Sequence, residues 1–539
     1  MRATPVDAAA VVPPTPTWWQ RGVVYQIYPR SFADSDGDGL GDLRGIVQKV
    51  DYLAWLGIDA VWMSPMYPTP DSDLGYDISD YVDVDPRLGS LADLDDLVAA
   101  LHDRDIRLIL DLVPNHTSDQ HPWFVQSRSG QDDPRHDWYV WRDGRPDGSP
   151  PNNWESYFGG SAWTYLEPPG RWYLHSFDPG QPDLEWENRE VRSAIAEVMR
   201  FWLDRGVDGF RVDVLWLLGK DPELRDNPPN PDWREGDRPW RRLLRAHSED
   251  GPRAHEHARF LRSVLDEYED RVMVGEVVLP AARAVAFHGE RLDEAHLPHN
   301  FTLPDLPVWT AESIGDAVDR YESVLPPGAW PNWLLGDHDL PRVASRVGPE
   351  RTRLAHLLLL TLRGTPTWYY GDELGLPNAA FPAGTVTSID PQAATSPERD
   401  RLTVRTPMQW EPGPAAGFSA GEPWLPIASV DPALTVERQR RDPDSTLHYV
   451  RDLLRLRSET PALSVGTYRR IEAPPGVLSY ERGHPDGTVF VHLNWGDEIV
   501  ALEAGAGTHV LRSTHGAREI DGTTLTLAVG EGVILAPGP

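Results

Sequence analysis

Short apolar runs alternate with helix-like segments along most of this chain, and this alternation restricts the fold more than any other feature. The segments 43–56 and 91–102 carry apolar residues at helical spacing, at positions i, i+3 and i+4. Strands that alternate with helices predict βαβ units and a parallel sheet. A weaker eighth run at 299–301 would close an α/β fold of the (β/α)8 TIM barrel type. The seven evident runs span 23–28, 58–63, 107–113, 209–212, 272–275, 333–335 and 367–370.

Segments without this alternation predict further domains in the 539-residue chain. Residues 118–186 are rich in Pro, Gly, Asp and aromatic residues, which predicts an inserted loop-rich subdomain after strand 3. Residues 466–539 contain short alternating segments broken by Gly and Pro, which predicts a C-terminal antiparallel β-domain of the sandwich type. The barrel would then comprise 18–117 and 187–465. Residues 1–17, rich in Ala, Pro and Thr, are expected to form a disordered tail.

The composition excludes several classes of function. Acidic residues number 83 and Lys plus Arg 51, a net charge of −32, which opposes binding to nucleic acid or to an anionic membrane. The absence of Cys excludes disulfides and a thiol nucleophile. No apolar run reaches the ~18 residues of a membrane span, and the N-terminus lacks the apolar core of a secretory signal, so we expect a cytoplasmic location. The 22 Trp residues fit core packing and sugar stacking equally well.

Acidic and imidazole side chains follow the ends of four predicted strands. The carboxyl ends of barrel strands meet at one mouth, so these side chains should converge there. Each of these side chains alone has a purely structural explanation, such as an ion pair under a loop. The presence of side chains of these types at the ends of four strands argues against a chance arrangement. The side chains are His116, Arg211, Asp213, Glu276, His338 and Asp339.

Converging carboxylates suit glycoside hydrolysis. One carboxylate attacks the anomeric carbon while a second, protonated, gives its proton to the leaving oxygen. The two lie about 5–5.5 Å apart when the anomeric configuration is retained. Arg211 precedes Asp213 by two residues, so both point to the same side of a strand, and the arginine would hold Asp213 ionised.

An acidic, glycine-rich turn at 34–42 follows the first predicted strand. Oxygen-bearing residues at every second position suit Ca²⁺. The turn begins like an EF-hand loop, but the twelfth position is Gly45 rather than Glu. A structural divalent cation and an ion-free acidic turn both remain open from the residues alone.

The chain resembles the α-amylase superfamily (glycoside hydrolase family 13), and within it the α-glucosidase and oligo-1,6-glucosidase group. The resemblance extends from about Trp18 to the end of the chain. Besides the strand-end motifs, it rests on the segments 22–32, 75–81, 181–186, 364–373 and 405–410.

The resemblance implies a role for each of the converging side chains. Asp213 would be the nucleophile, Glu276 the acid/base, and Asp339 the third carboxylate, which holds and distorts the sugar. The remaining three would bind the non-reducing glucose: His116, Arg211 and His338.

Relatives that remove single glucose units close the pocket with an Asp-x-Gly-Tyr segment, which is Asp73 to Tyr76 in this chain. By resemblance Tyr76 would stack under the sugar ring, and Asp73 would pair with an arginine of a late loop, for which Arg405 is the expected partner. Such a pair would block further sugar units. The resemblance also implies one structural cation, Ca²⁺ or alternatively Mg²⁺, in the acidic turn. Its ligands would be Asp34, Asp36, Asp38, the Leu40 carbonyl and Asp42.

These features together predict a retaining, exo-acting α-glucosidase that acts on a small oligosaccharide or α-glucoside. A transglucosidase would use the same residues and remains an alternative. A non-catalytic, glucosidase-like binding protein is disfavoured because all three carboxylates are present. Val214 follows Asp213, and in the resembling group valine at this place accompanies α-1,6 activity. Asp337, Leu340 and Leu402 depart from residues common in that group. The sequence leaves the oligomeric state, monomer or dimer, open.

Overall fold

A computed structural model describes residues 16–235, 241–381, 400–429, 431–520 and 522–538. Eight parallel strands form a closed barrel in which each strand pairs with the next along the chain and β8 pairs with β1. The predicted (β/α)8 barrel is therefore confirmed, and the weak eighth run is a real strand, the sixth in order. The strands are β1 (Val24–Ile27), β2 (Ala60–Met63), β3 (Arg107–Leu112), β4 (Gly209–Val212), β5 (Val272–Gly275), β6 (Leu297–Asn300), β7 (Asn332–Leu334) and β8 (Thr365–Tyr369).

Amphipathic helices surround the barrel and bury their apolar sides on it. The helix Leu91–His102 is capped by Ser90, whose hydroxyl accepts a hydrogen bond from the Asp93 backbone N–H in a capping box. The predicted helix at 43–56 is divided in two, because Lys49 leaves the helical region (φ −106°, ψ 3°). The described α-helices of four or more residues between β1 and the C-terminal sheet are Pro29–Phe32, Leu43–Gln48, Val50–Leu56, Leu91–His102, Pro122–Ser127, Arg189–Asp204, Ala254–Leu265, Ala281–Ala284, Ala311–Val324, Val343–Val347, Thr352–Thr361, Val436–Arg441, Thr446–Glu459 and Pro461–Ser464.

A small antiparallel sheet lies between β3 and β4. Its strands are Trp141–Arg142, Arg171–Leu174 and Trp163–Leu166, in that spatial order. Trp163 and Leu174 of this sheet pack with Trp154 in a separate apolar cluster. The residues around the sheet are largely turns and loops, and Gln181 in this part of the chain contacts Asp73 and His116 beside the carboxyl ends of the barrel strands.

The C-terminal part of the chain is an antiparallel β-structure. Five strands form one sheet, in the spatial order Thr467–Arg470, Val477–His484, Gly487–Asn494, Gly532–Ala536 and His509–Ser513. A second sheet pairs Val500–Glu503 with Thr524–Leu527. Side chains from both sheets share one apolar cluster, which includes Leu502, Leu527 and Leu535.

Two sequence expectations concern the N-terminal tail and membrane-spanning helices. The tail prediction falls almost wholly on residues 1–15, which lie outside the described residues; Thr17 caps a short helix, Trp18–Arg21. Among the described residues, no helix is both long and apolar enough to cross a membrane.

Candidate active site

Arg211 joins three carboxylates from three barrel strands. It lies on β4, almost wholly buried, and its Nη1 donates to Asp213 Oδ1 (2.6 Å) and to Asp111 Oδ1 (3.0 Å). Its Nη2 lies 2.9 Å from Glu276 Oε2. The ends of β3, β4 and β5 thus converge as the strand-end positions predict, and Asp111 joins them.

One guanidinium among three carboxylates leaves an excess of negative charge. Burial raises the pKa of Asp213 well above its usual range, with Arg211 opposing and the neighbouring Glu276 and Asp111 charges adding to the rise. Burial likewise raises the pKa of Asp111 to about 6. The expectation that Arg211 holds Asp213 ionised therefore describes only one side of this balance. The cluster favours retention of a proton near neutral pH.

Asp339 has the opposite surroundings. Its carboxylate pairs with Arg405, and Arg401 Nη1 lies 3.5 Å from the same oxygen. Burial would raise the pKa of this carboxyl, but the neighbouring His338, Arg405 and Arg401 hold it well below its usual range. Burial lowers the pKa of His338, so that ring is neutral at pH 7. The charges of the two arginines are therefore what keeps the pKa of Asp339 low at this pH. The Asp339 side chain stays 37% exposed, so its anion is accessible from the pocket.

His338 is fixed in one tautomer between two aromatic rings. The Gln26 side-chain amide donates to its Nδ1 at 2.8 Å, which places the ring proton on Nε2. Tyr76 stacks on one side at a centroid distance of 5.3 Å, and Tyr28 stacks at 6.2 Å. Within the described part of the chain, Nε2 has no hydrogen-bond partner. This N–H is therefore available to a sugar hydroxyl.

Asp337 adds a buried acid to the same strand end. Its Oδ1 accepts the backbone N–H of Asp339 at 2.8 Å. Burial, together with the Asp339 and Glu276 charges, raises the pKa of Asp337 to about 7. Asp337, which departs from the residue common in the resembling group, is therefore an acid that is partly protonated at neutral pH.

The predicted pairing of Asp73 with Arg405 is wrong. Asp73 Oδ1 accepts from Arg401 Nη2 at 2.9 Å, and Gln181 Nε2 donates to Oδ2 at 3.2 Å. Arg405 lies deeper, where it donates to the His338 carbonyl (2.9 Å) and pairs with Asp339. Arg401 begins a short 3-10 helix, one turn before Arg405, and this places the two guanidiniums at different depths of one pocket wall.

Tyr76 and His116 line the neighbouring wall. The Tyr76 hydroxyl donates to Asp111 Oδ2 (3.0 Å), so the residue that orients Arg211 also fixes this tyrosine. The Asn115 amide donates to His116 Nδ1 (3.1 Å), and His116 Nε2 then donates to the Tyr76 carbonyl (3.1 Å). Burial lowers the pKa of His116, so this ring too is neutral.

Sequence reasoning missed three residues of this site. Asp111 opens the motif that ends in His116, and its place at the end of β3 was the available signal. Arg401 was visible as an arginine four residues before Arg405. Gln181 lies in one of the motifs of the resemblance, and its amide nitrogen is 3.1 Å from His116 Nε2.

The acidic turn brings together three of the five expected ligands. Oxygens of Asp34, Asp36 and Asp42 lie within 4.8 Å of one another. Burial would raise the pKa of Asp34, but a Ser419 hydroxyl and the amides of the turn lower it. The exposed Asp38 is not in this group, and its Oδ1 accepts the Leu40 N–H at 2.8 Å. Oxygen donors and ionised carboxylates match the preference of Ca²⁺ and Mg²⁺, so the residues fit a divalent ion.

The catalytic-domain model of the α-amylase family matches residues 26–466. The chain belongs to this family. Among curated members, the oligo-1,6-glucosidase of Parageobacillus thermoglucosidasius is 39% identical over 521 residues, which cover 89% of this chain and 91% of the relative. The trehalose-6-phosphate hydrolase of Escherichia coli is 38% identical over 525 residues, covering 91% and 93% of the two chains.

Solved structures of family members agree with this fold. The crystal structure of the α-glucosyl transfer enzyme XgtA superposes with a TM-score of 0.91 at 39% identity and covers 97% of this chain and 100% of that one. The trehalulose synthase MutB from Pseudomonas mesoacidophila MX-45 superposes with a TM-score of 0.87 at 34% identity, with the same coverage. This family member is thus similar both to hydrolases and to enzymes named for glucosyl transfer or trehalulose synthesis.

Proposed function

We propose that this protein is a retaining, exo-acting α-glucosidase that releases terminal non-reducing glucose from short oligosaccharides or α-glucosides. The observation that carries the proposal is the single Arg211 guanidinium that joins Asp213 and Glu276 at the ends of β4 and β5. The curated oligo-1,6-glucosidases and α-glucosidases that the chain matches over nine-tenths of its length support it.

In this mechanism Asp213 attacks the anomeric carbon while Glu276 protonates the leaving oxygen. Arg211 holds Asp213 Oδ1, and no donor in the described part of the chain contacts Oδ2, so Oδ2 is the attacking atom. A water molecule, deprotonated by Glu276, then breaks the glucosyl–Asp213 ester and releases glucose with its configuration retained. Asp339, ionised between two arginines, accepts hydrogen bonds from the sugar hydroxyls.

The exo action follows from the closed end of the pocket. Asp73, in the loop after β2, pairs with Arg401, in the loop after β8, and this pair joins two walls of the pocket. Arg401 also approaches Asp339. We infer that this bridge blocks sugar units beyond one glucose on the non-reducing side of the scissile bond. Short substrates should therefore be degraded and starch should hardly be attacked.

Glucosyl transfer is the second candidate function. The similarity to XgtA over 97% of this chain favours it, and the same residues would serve both reactions. Water and an acceptor sugar compete for the same glucosyl–enzyme intermediate. Product analysis at high sugar concentration separates the two: glucose alone indicates hydrolysis, and longer oligosaccharides indicate transfer.

We also propose that the acidic turn holds one structural divalent cation, Ca²⁺ or alternatively Mg²⁺. Asp34, Asp36 and Asp42 would supply carboxylates, with Asp38 and the Leu40 carbonyl completing the set. The ion would stabilise the turn. A cytoplasmic location and the absence of nucleic-acid and membrane partners stay predictions, which cell fractionation and binding assays would test.

The decisive experiment compares Asp213→Asn and Glu276→Gln with wild type on a panel of glucose disaccharides. Each variant should keep less than a few per cent of the wild-type rate, because each loses a covalent or a proton-transfer step. Glu197→Gln, on the 75% exposed Glu197 of an outer helix, is the matched control and should keep full activity. A folded Asp213→Asn or Glu276→Gln variant with substantial activity would refute the proposed roles.

A further inference from the structure

Val214, the residue directly after Asp213, has an unusual backbone. Its φ of 41° and ψ of 45° lie in the left-handed region. A β-branched side chain clashes with its own backbone in this region, so valine adopts it rarely. The residue is buried, and it begins the 3-10 helix Leu215–Leu217. Conformations of this kind persist where the surrounding structure imposes them, and they concentrate at active sites.

This conformation directs two consecutive amides at Glu276. The Val214 N–H donates to Glu276 Oε2 at 2.9 Å, and the Leu215 N–H donates to the Glu276 carbonyl at 3.1 Å. Immediately before the turn, the Asp213 N–H still continues the ladder to β3 by donating to Leu112 O at 2.8 Å. The chain therefore changes from strand pairing to contact with Glu276 within a single residue, Val214.

The two oxygens of Glu276 consequently differ. Oε2 faces both the Val214 N–H and Arg211 Nη2, each at 2.9 Å. In the described part of the chain, Oε1 has no donor. An oxygen that already faces two donors is a poor site for a further proton, because the proton would point at them.

We propose that Val214 is a positioning residue, whose left-handed backbone holds Glu276 through Oε2 and reserves Oε1 for the transferred proton. The inference rests on the proposed function. In the first step the Oε1–H bond breaks and the proton passes to the leaving oxygen. The bond between that oxygen and the anomeric carbon breaks at the same time, and a bond from Asp213 to that carbon forms. In the second step Oε1 receives a proton from water, the water oxygen bonds to the anomeric carbon, and the bond from Asp213 to that carbon breaks.

The test removes only the N–H. Nonsense suppression with the α-hydroxy analogue of valine replaces the amide at Val214 by an ester in the full-length enzyme. The carbonyl that the ester weakens belongs to Asp213, and no amide of the described residues donates to it. The readout is kcat/KM on two substrates that place the same glucose in the pocket. One is phenyl α-glucoside, whose leaving group needs a proton, and the other is α-glucosyl fluoride, whose leaving group needs little assistance.

The ester enzyme should lose at least about tenfold on phenyl α-glucoside and less than about twofold on the fluoride, because general acid catalysis contributes factors of that size or larger. The Val214→Thr enzyme keeps the N–H and the branched side chain, and its ratio of the two rates should stay within twofold of wild type. An equal loss on both substrates, or no loss, in the ester enzyme overturns the inference.

Glu276→Gln distinguishes this failure from failure of the proposed function. If Glu276 is the acid, this variant loses far more activity on phenyl α-glucoside than on the fluoride. That result, together with an unaltered ester enzyme, removes the role of Val214 alone. A Glu276→Gln variant without any leaving-group dependence removes the proposed role of Glu276 itself. Should the ester protein not accumulate, Val214→Pro, which removes the N–H and cannot adopt a positive φ, gives the same comparison: a ratio equal to that of wild type counts against the inference.

Discussion

The Asp73–Arg401 pair offers the sharpest test of how the pocket is closed. Both side chains are largely buried, with 7% and 13% exposure, and the joined oxygen and nitrogen lie 2.9 Å apart. Asp73→Ala would remove the carboxylate that accepts a hydrogen bond from Arg401 Nη2. The two walls of the pocket would then lose the contact that joins them, and substrate binding would have to close the gap.

The size of the effect follows from the geometry. Removing one partner of a buried ion pair costs about 3–5 kcal/mol. The low end applies, because Asp339 lies 3.5 Å from Arg401 and offers a substitute. If the closed conformation of the pocket is destabilised by ~3 kcal/mol, a smaller fraction of the enzyme is ready to bind substrate. Since 1.36 kcal/mol corresponds to a tenfold change, kcat/KM on a disaccharide should fall about a hundredfold.

The assay is a double-mutant cycle with Asp73→Ala, Arg401→Ala and both together, measured as kcat/KM on a disaccharide and on a long maltodextrin. The double variant should be no worse than the poorer single variant, since either change already breaks the pair. The variants should also lose less activity on the maltodextrin than on the disaccharide. Losses that simply add, or an equal loss on both substrates, would refute the closure argument.

Three further predictions follow from the metal turn, from Asp337 and from Val214. A chelator should lower the melting temperature more than the rate measured well below melting, since the acidic turn acts through folding stability; an unchanged melting curve would contradict this. The pKa of Asp337 is raised to about 7, chiefly by burial, so the stability it contributes is complete below its unfolded value of about 3.9 and is lost as the pH rises through 7. Asp337→Asn should therefore melt higher than wild type at pH 8 by a margin that narrows toward pH 5, and a margin independent of pH would count against it. Wild type should hydrolyse isomaltose, and Val214→Thr should lower its kcat/KM ratio of isomaltose to maltose, because one methyl or hydroxyl at an acceptor subsite shifts discrimination by ~1–3 kcal/mol; no detectable isomaltose hydrolysis or an unchanged ratio would show that Val214 does not set linkage.

The catalytic cluster could be predicted from the sequence because the geometry of a barrel determines where its strand ends lie. Strand ends of a closed parallel barrel meet at one mouth, so the positions of Arg211, Asp213 and Glu276 along the chain were enough to bring them together. Even the short run at 299–301 was found as a strand, since the repeat required one there.

The partner of Asp73 could not be predicted in the same way. Arg401 and Arg405 lie on an irregular segment after β8, where no period relates sequence position to depth in the pocket. One turn of 3-10 helix separates them and decides which one reaches Asp73 and which one is buried against Asp339. The left-handed backbone of Val214 was equally hidden, because valine is among the residues least expected there.

The two groups of charges in this pocket use the same kinds of side chain in opposite proportions. At the ends of β3 to β5, three carboxylates share Arg211, and burial raises the pKa of Asp213 and of Asp111. At the end of β7, two arginines approach Asp339, and its pKa falls. The cluster of three carboxyls must hold one proton for Glu276 to transfer while Asp213 is ionised, whereas binding sugar hydroxyls needs a permanent anion. The ratio of guanidinium to carboxylate, rather than the identity of any one residue, therefore divides the pocket into a part that moves protons and a part that holds the sugar.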